Sequence, residues 1–206
     1  MRGVPDAPLV LGPLYGLRTW KVVEGERLAG PYSGAVWPTG GAWLEARCGR
    51  ELGHRSPAQG CACGVYGWHL SRRSARRVMS LRAELPGIVE TRGPIELHDD
   101  GFRAAEGRPH ALVLGPRRNG ALIRRLADAY GAEVVRVDGP GDLDAWCRKH
   151  GLGLQPAAVD ALLGPEHVEE RRQAERRQRR SIALHLAATA ALLGTPVAWR
   201  LAEVLH

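Results

Sequence analysis

The chain contains almost no lysine and a single phenylalanine among its 206 residues. Lys21 and Lys149 are the only lysines, although lysine and arginine together number 29 and the formal net charge is +7. Arginine therefore supplies nearly all of the positive charge. Codon bias in a GC-rich genome, which we expect to be bacterial, would account for the preference for arginine, but it would not explain why the arginines occur in adjacent pairs. A basic chain favours an anionic partner, such as nucleic acid, an acidic protein or an anionic membrane surface.

Several familiar signatures are also missing. Met1–Gly12 has no compact apolar core of signal-peptide length, which predicts a cytoplasmic protein with reduced thiols. No nucleophile elbow, His-Glu-x-x-His motif, P-loop or dinucleotide fingerprint occurs, so the sequence favours a function other than catalysis. Gly115–Gly120 joins a predicted strand to a predicted helix, where phosphate can bind, but it matches no phosphate-binding fingerprint and is interpreted as a loop.

A cluster of metal-binding residue types occupies the middle of the N-terminal half, where three of the four cysteines fall within sixteen positions. Cys48, His54, Cys61 and Cys63 together offer three thiols and one imidazole. Structural zinc ions are held tetrahedrally by four ligands of these types. The sequence therefore predicts a zinc site that stabilises the fold, with Gly64 completing a tight knuckle after the Cys-x-Cys pair.

Other interpretations of these cysteines remain open. A single residue separates Cys61 from Cys63, whereas zinc fingers and ribbons usually place at least two residues between paired cysteines. Three cysteines and one histidine also suit a [2Fe–2S] cluster, and thiols without metal or a disulfide are further alternatives. His69 could replace His54 as the fourth ligand. Cys147 lies on the inward face of a predicted helix and is expected in the core.

Hydrophobic patterning predicts an α+β protein in three segments. Residues 1–114 are predicted to form a β-rich domain that carries the Cys/His site and begins with an irregular lead-in over 1–13. Residues 115–154 are predicted to form a short α/β element. Residues 155–206 are predicted to form a helical C-terminal segment.

Within the β-rich segment, aromatic and β-branched residues predict strands over Tyr15–Val23 and 42–48. Ser71–Leu85 is predicted to be an amphipathic helix that Pro86-Gly87 ends. Two strands, 88–91 and 94–98, are expected next, and Asp99–Gly101 then predicts a hairpin turn.

The α/β element is predicted from alternating strand and helix patterns. Strands are expected over 111–114 and 133–137, and a helix over 121–130 that ends at Gly131 as its C-cap. Asp142 is predicted to cap a second helix that runs through His150.

Arginine pairs supply the candidate nucleic-acid-binding surface. Four of the arginines between Ser71 and Leu85, at positions 72, 73, 76 and 77, recur at spacings that place them on one side of the predicted helix. Tyr66 and Trp68 lie close by and could stack on unpaired bases. A solvated helix face without a ligand is the alternative. The predicted nucleic-acid-binding residues are Arg72, Arg73, Arg76, Arg77, Arg117 and Arg118.

The C-terminal segment admits three interpretations. Ile182–Trp199 carries no charge apart from His185, as a membrane anchor would, but Gly194–Pro196 divides it and makes an anchor the least favoured of the three. A helix-turn-helix is the second interpretation. The third, which we favour, is a helical hairpin that covers the core or joins copies of the chain into an oligomer or larger assembly.

Taken together, these patterns predict a non-enzymatic, zinc-stabilised module that binds nucleic acid through its arginine pairs. A protein-interaction or scaffold subunit of a larger assembly is the first alternative, and an iron–sulfur redox protein is the second. Visible colour would distinguish an iron–sulfur cluster from zinc, and salt-dependent binding would distinguish a nucleic-acid partner from a protein scaffold.

Overall fold

The fold is described by a computed structural model covering residues 9–10, 13–49, 53–58, 60–152, 154 and 156–193. The chain divides into two compact units, residues 1–163 and residues 164–206. The first unit combines a mixed β-sheet with packed helices, which confirms the predicted α+β class.

A long hairpin forms the centre of the first unit. Strand β6 spans Leu85–Leu97 and strand β7 spans Gly101–Leu114, and the two pair along most of their length. Strand β2, Leu14–Val23, pairs with β6, and strand β5, Val65–Trp68, pairs with β7. Leu17 of β2 also pairs with Trp68 of β5, so β2, β6, β7 and β5 form a closed ring.

Four shorter strands extend this ring. Strand β1, Leu9–Val10, pairs with β6, and strand β3, Arg27–Ala29, pairs with β2. The edge of β7 that does not face β6 pairs in turn with β5, with β4 (Leu44–Glu45) and with β8 (Glu133–Arg136). Strand β8 runs parallel to β7, so segment 115–154 contributes a strand to the same sheet as the strands before it.

Helices pack on both sides of the hairpin. Helix α2, Gly120–Tyr130, lies in one core cluster together with Trp20 and Trp37. The Tyr130 hydroxyl accepts a hydrogen bond from the Leu28 amide at 2.8 Å and donates to the Trp37 carbonyl at 3.3 Å. These contacts fix the segment between β3 and β4 against α2.

The second core cluster lies between the sheet and two other helices. Helix α1, Arg72–Ser80, contributes Ala75 and Val78, and helix α3, Pro140–Lys149, contributes Leu143 and Cys147. Helix α4 spans Pro156–Leu163 and ends the first unit.

The described part of the second unit is a single long helix. Helix α5 spans Pro165–Leu193, with Ile182 and Leu184 exposed within the described residues. Within the described residues, no helix combines the length and apolar character needed to cross a membrane. The turn at 194–196 and the final helix expected over 197–205 lie outside the described residues, so the structure does not test the helix-turn-helix and hairpin interpretations.

Four sequence predictions need correction. Helix α1 ends at Ser80, and β6 begins at Leu85 and continues through Pro86 and Gly87, where a break was predicted. A Cβ at Gly87 would lie 2.3 Å from the Ala111 carbonyl oxygen, so glycine allows β6 and β7 to approach closely.

The strand expected over 42–48 is limited to Leu44–Glu45, and the lead-in contains strand β1. The N-cap of α3 is Gly139 rather than Asp142. The Asp142 carboxylate instead accepts hydrogen bonds from the backbone amides of Asp138 and Gly139, both at 3.0 Å. The predicted C-cap of α2 is confirmed, because Gly131 adopts the left-handed conformation with φ 61°.

Candidate metal centre and arginine surface

Strand pairing brings together the two ends of the segment between β4 and β5, which carries Cys48, Cys61 and Cys63. Strand β4 precedes Cys48 and pairs with Gly107 and Glu106 of β7, and strand β5 follows Cys63 and pairs with 101–104 of the same strand edge. The Ala46 amide adds a 2.7 Å hydrogen bond to the Ala105 carbonyl. Cys48 and Cys63 are therefore held as neighbours although fifteen positions separate them.

Cys48, His54, Cys61 and Cys63, here called the cysteine cluster, meet at one point. Their ligand atoms all lie within 4.8 Å of one another, so the four residues could bind a metal ion. The Sγ atoms of Cys48 and Cys61 are 3.6 Å apart, and His54 Nε2 lies 3.3 Å from the Cys63 Sγ. A tetrahedral ion with metal–sulfur bonds of about 2.3 Å would separate its sulfur ligands by about 3.8 Å. The cluster thus has the dimensions of a four-ligand site.

The thiols in this cluster differ in acidity. Burial raises the pKa of Cys63, but the nearby side chains of Ser56 and His54 favour the thiolate, outweigh burial and bring the pKa down to about 7. The backbone amide of Cys63 favours the Cys61 thiolate, yet the neighbouring thiols prevail and the pKa of Cys61 is raised. Closely packed thiols resist full ionisation because their negative charges repel, and a bound cation removes that repulsion.

A buried arginine of β7 forms hydrogen bonds with the loop that carries the cysteines. Arg103 of β7 is 3% exposed and donates to the carbonyl oxygens of Cys63 at 3.2 Å and Ala58 at 3.0 Å. The same guanidinium pairs with Glu96 of β6 at 2.5 Å, and Glu96 also lies 3.3 Å from His98. Arg103 thus connects the β6–β7 hairpin to the loop that carries the cysteines.

Gly64 permits this arrangement. Its φ is 142°, and a Cβ at this position would lie 2.8 Å from the Cβ of Arg103. Glycine is therefore required where the Cys-x-Cys segment passes over Arg103.

The other candidate ligands lie elsewhere. His69 Nε2 is 2.7 Å from the His98 carbonyl oxygen, and the structure does not bring His69 into the cysteine cluster. Cys147 is buried in α3, which confirms its predicted place in the core, and burial raises the pKa of its thiol to about 12. The described cysteines form no disulfide.

The six predicted nucleic-acid-binding arginines, here called the arginine surface, are carried by α1 and by the loop before α2. Helix α1 begins after Ser71, whose hydroxyl accepts from the Ser74 amide at 3.1 Å, and it buries Ala75 and Val78 against the core. This packing leaves Arg72, Arg73, Arg76 and Arg77 exposed.

The loop arginines reach the same region. Arg118 donates to the carbonyl of Leu81, the residue at the end of α1, at 3.3 Å. Arg76, Arg117 and Arg118 also line one cavity, to which Arg82 contributes a further guanidinium. Sequence reasoning missed Arg82 because it belongs to no adjacent pair of arginines. The predicted stacking residue Trp68 is partly buried and carries the Arg77 guanidinium 5.2 Å above its ring.

Comparison with known proteins adds no assignment. No protein-family model matches the chain, and no curated protein or solved structure shows significant similarity to it. Any function must therefore be argued from the cysteine cluster and the arginines themselves.

Proposed function

We propose that this protein is a non-enzymatic module that contains a structural zinc ion and binds nucleic acid through its arginine surface. The observation that carries the binding proposal is the absence of acidic partners. Within the described residues, none of the six arginines forms an ion pair with a carboxylate. Some arginines elsewhere in the fold, namely Arg92, Arg103 and Arg108, do pair with glutamates. Unpaired guanidinium groups remain available to phosphate oxygens.

The proposal of zinc rests on the ligand chemistry of the cysteine cluster. Three thiols and one imidazole suit a borderline-soft ion, and four protein ligands leave no open position for a substrate. The hydrogen bonds of Arg103 to the loop carbonyls hold the ligands in place. A structural role follows from that combination.

Elemental analysis of the purified protein tests the metal. We expect about one zinc per chain, because the cluster offers four ligands for a single ion. Less than about a tenth of an equivalent of zinc and iron combined would end the proposal of a metal centre. Iron with matching sulfide and visible absorption would replace zinc by an iron–sulfur cluster.

Fluorescence anisotropy with labelled single-stranded and duplex oligonucleotides tests the binding surface. We expect affinity to fall steeply with added salt, because phosphate contacts release counterions. The triple variant Arg72→Gln/Arg73→Gln/Arg77→Gln should lower affinity about tenfold or more.

The matched control is Arg124→Gln/Arg125→Gln/Arg136→Gln, which removes the same charge from exposed positions outside the arginine surface. Equal losses in both variants would show that net charge alone drives binding. If neither oligonucleotide shows binding at low salt, a nucleic-acid partner is excluded and a protein-interaction subunit is favoured.

A further inference from the structure

A cavity of about 870 Å³ opens beside the arginine surface, at the carboxyl ends of the parallel strands β7 and β8. The loops 115–119 and 138–140 line it together with the end of α1 and residues 82–85. Ligands of α/β units commonly bind beyond the carboxyl ends of parallel strands. The volume lies within the range of small-molecule sites, and we call this cavity the arginine cleft.

The charge of the arginine cleft is positive. Arg76, Arg82, Arg117 and Arg118 line it, against the carboxylates of only two residues, Glu84 and Asp138, which leaves a formal charge of +2.

One of those carboxylates is already engaged. Glu84 accepts a hydrogen bond from the Thr19 hydroxyl of β2. Within the described residues, none of the four arginines forms an ion pair. Burial lowers the pKa of Arg118, so part of its hydration is already lost. The excess charge matches that of a phosphate monoester, which carries nearly two negative charges at neutral pH.

Helix N-termini contribute little to this charge. The Asn119 side chain accepts from the Ala121 and Leu122 amides at the start of α2. At the start of α3, the Asp142 carboxylate accepts from the amides of Asp138 and Gly139, which precede the helix. The guanidinium groups are therefore the donors that remain for an anion.

Part of the lining of the arginine cleft is an aliphatic wall. Val22, Met79, Leu85, Ile123 and Leu126 contribute to it. An inorganic phosphate ion would leave this wall in contact with water. A ligand that carries one phosphate on a flat, weakly polar body would cover this wall and contact the arginines at the same time. A nucleobase is such a body, and the planar guanidinium groups of arginine also stack on bases.

We propose that the arginine cleft binds one nucleoside phosphate, with the phosphate on the four guanidinium groups and the base against the aliphatic wall. The ligand can be a free nucleotide or the phosphorylated end of a strand, since both present the same group. The inference does not depend on the proposed function, because a free nucleotide can occupy the cleft even if the arginine surface binds no strand.

Isothermal titration calorimetry on the full chain provides the first test. Adenosine, cytidine, guanosine and uridine 5′-monophosphates are compared with adenosine and with inorganic phosphate at equal ionic strength. We expect at least one nucleotide to bind about tenfold or more tightly than either fragment, because only the nucleotide can contact the guanidinium groups and the aliphatic side chains together. Equal affinity for inorganic phosphate, or no binding of any nucleotide at about 1 mM, would overturn the inference.

Substitution of Arg82 separates the cleft from the arginine surface. Arg82 lies outside the six residues of that surface, so Arg82→Gln should weaken nucleotide binding about tenfold while leaving oligonucleotides without terminal phosphate unaffected. Arg72→Gln/Arg73→Gln should have the opposite pattern. Circular dichroism and thermal melting check that both variants fold. If Arg82→Gln leaves nucleotide affinity unchanged in a folded protein, the ligand does not occupy the cleft.

Oligonucleotides with a 5′-phosphate, a 3′-phosphate or neither distinguish the two sources. A terminal phosphate that raises affinity in the wild type but not in Arg82→Gln identifies a strand end as the ligand. Equal affinity for all three oligonucleotides, together with nucleotide binding that depends on Arg82, identifies a free nucleotide.

Discussion

The polar groups of the cysteine cluster contact other protein groups, whereas those of the arginine cleft face an open cavity. In the cysteine cluster the side chains face one another within 4.8 Å, and a buried arginine satisfies the surrounding carbonyl groups. In the arginine cleft the guanidinium groups face a space of about 870 Å³ without ion pairs among the described residues. The first arrangement concentrates interactions inside the protein, which stabilises a fold, and the second leaves interactions for a ligand.

This contrast separates stability from binding. Exposed charges contribute little to folding, because solvent screens them and their side chains keep their freedom. Buried groups with several partners contribute much more, because each partner is left unsatisfied when they are removed. Substitutions in the cysteine cluster should therefore change stability, and substitutions at exposed positions of the arginine cleft, such as Arg82 and Asp138, should change affinity.

The largest effect is expected from loss of a ligand in the cysteine cluster. Cys63→Ser should lower zinc content to near zero and the free energy of unfolding by more than about 4 kcal/mol, because metal binding is coupled to folding. Denaturant unfolding and elemental analysis measure both. Cys147→Ala is the matched control outside the cluster and should keep its zinc. Retention of a full equivalent of zinc by Cys63→Ser would contradict the assignment of that ligand.

A smaller loss of stability is expected from substitution of Arg103, which forms hydrogen bonds with the cysteine-bearing loop. Arg103→Met should lower the free energy of unfolding by about 3 kcal/mol, because it leaves Glu96 buried without its cation. It should also weaken zinc binding about tenfold or more by releasing the carbonyl groups of Ala58 and Cys63. Competition with a zinc chelator measures the affinity.

The matched control for Arg103 is another arginine that joins β6 to β7. Arg92 is half exposed and pairs with Glu106 at 2.7 Å, so Arg92→Met should cost less than about 1 kcal/mol. Equal costs at Arg92 and Arg103 would show that burial does not distinguish the two pairs.

The smallest effect is expected at an acidic residue of the arginine cleft. Asp138→Asn removes one negative charge from the cleft and should tighten nucleotide binding about threefold without changing stability. Asp144→Asn on α3 is the control, because Asp144 pairs with Arg148 rather than lining the cleft. A weaker affinity in Asp138→Asn would mean that its carboxylate accepts a hydrogen bond from the ligand.

The parts of the fold that sequence predicted well are those where one local signal dominates. The aromatic and β-branched run of β2 and the Gly131 cap of α2 were evident without tertiary information. The cysteine cluster was also visible, because its four residues lie within sixteen positions.

The parts that sequence did not predict depend on distant contacts. Leu85–Thr91 is buried at every position, so β6 lacks the alternation that marks a strand, and Pro86-Gly87 resembles a break. Arg103 donates a hydrogen bond to Cys63, which lies forty positions earlier in the chain. Arg82 lines the same cleft as Arg117 and Arg118 because the end of α1 packs beside the loop before α2.

One pair of neighbouring strands in the closed ring is joined by far fewer paired positions than the central hairpin. Nine register positions join β6 to β7, whereas a single position, Leu17 with Trp68, joins β2 to β5. Thermal fluctuations should therefore open the ring between β2 and β5 before any other strand pair separates. Cys61 and Cys63 immediately precede β5, so an ion bound to them would restrain the strand that moves. A bound metal ion would then govern how often the ring opens between β2 and β5, as well as how stable the fold is.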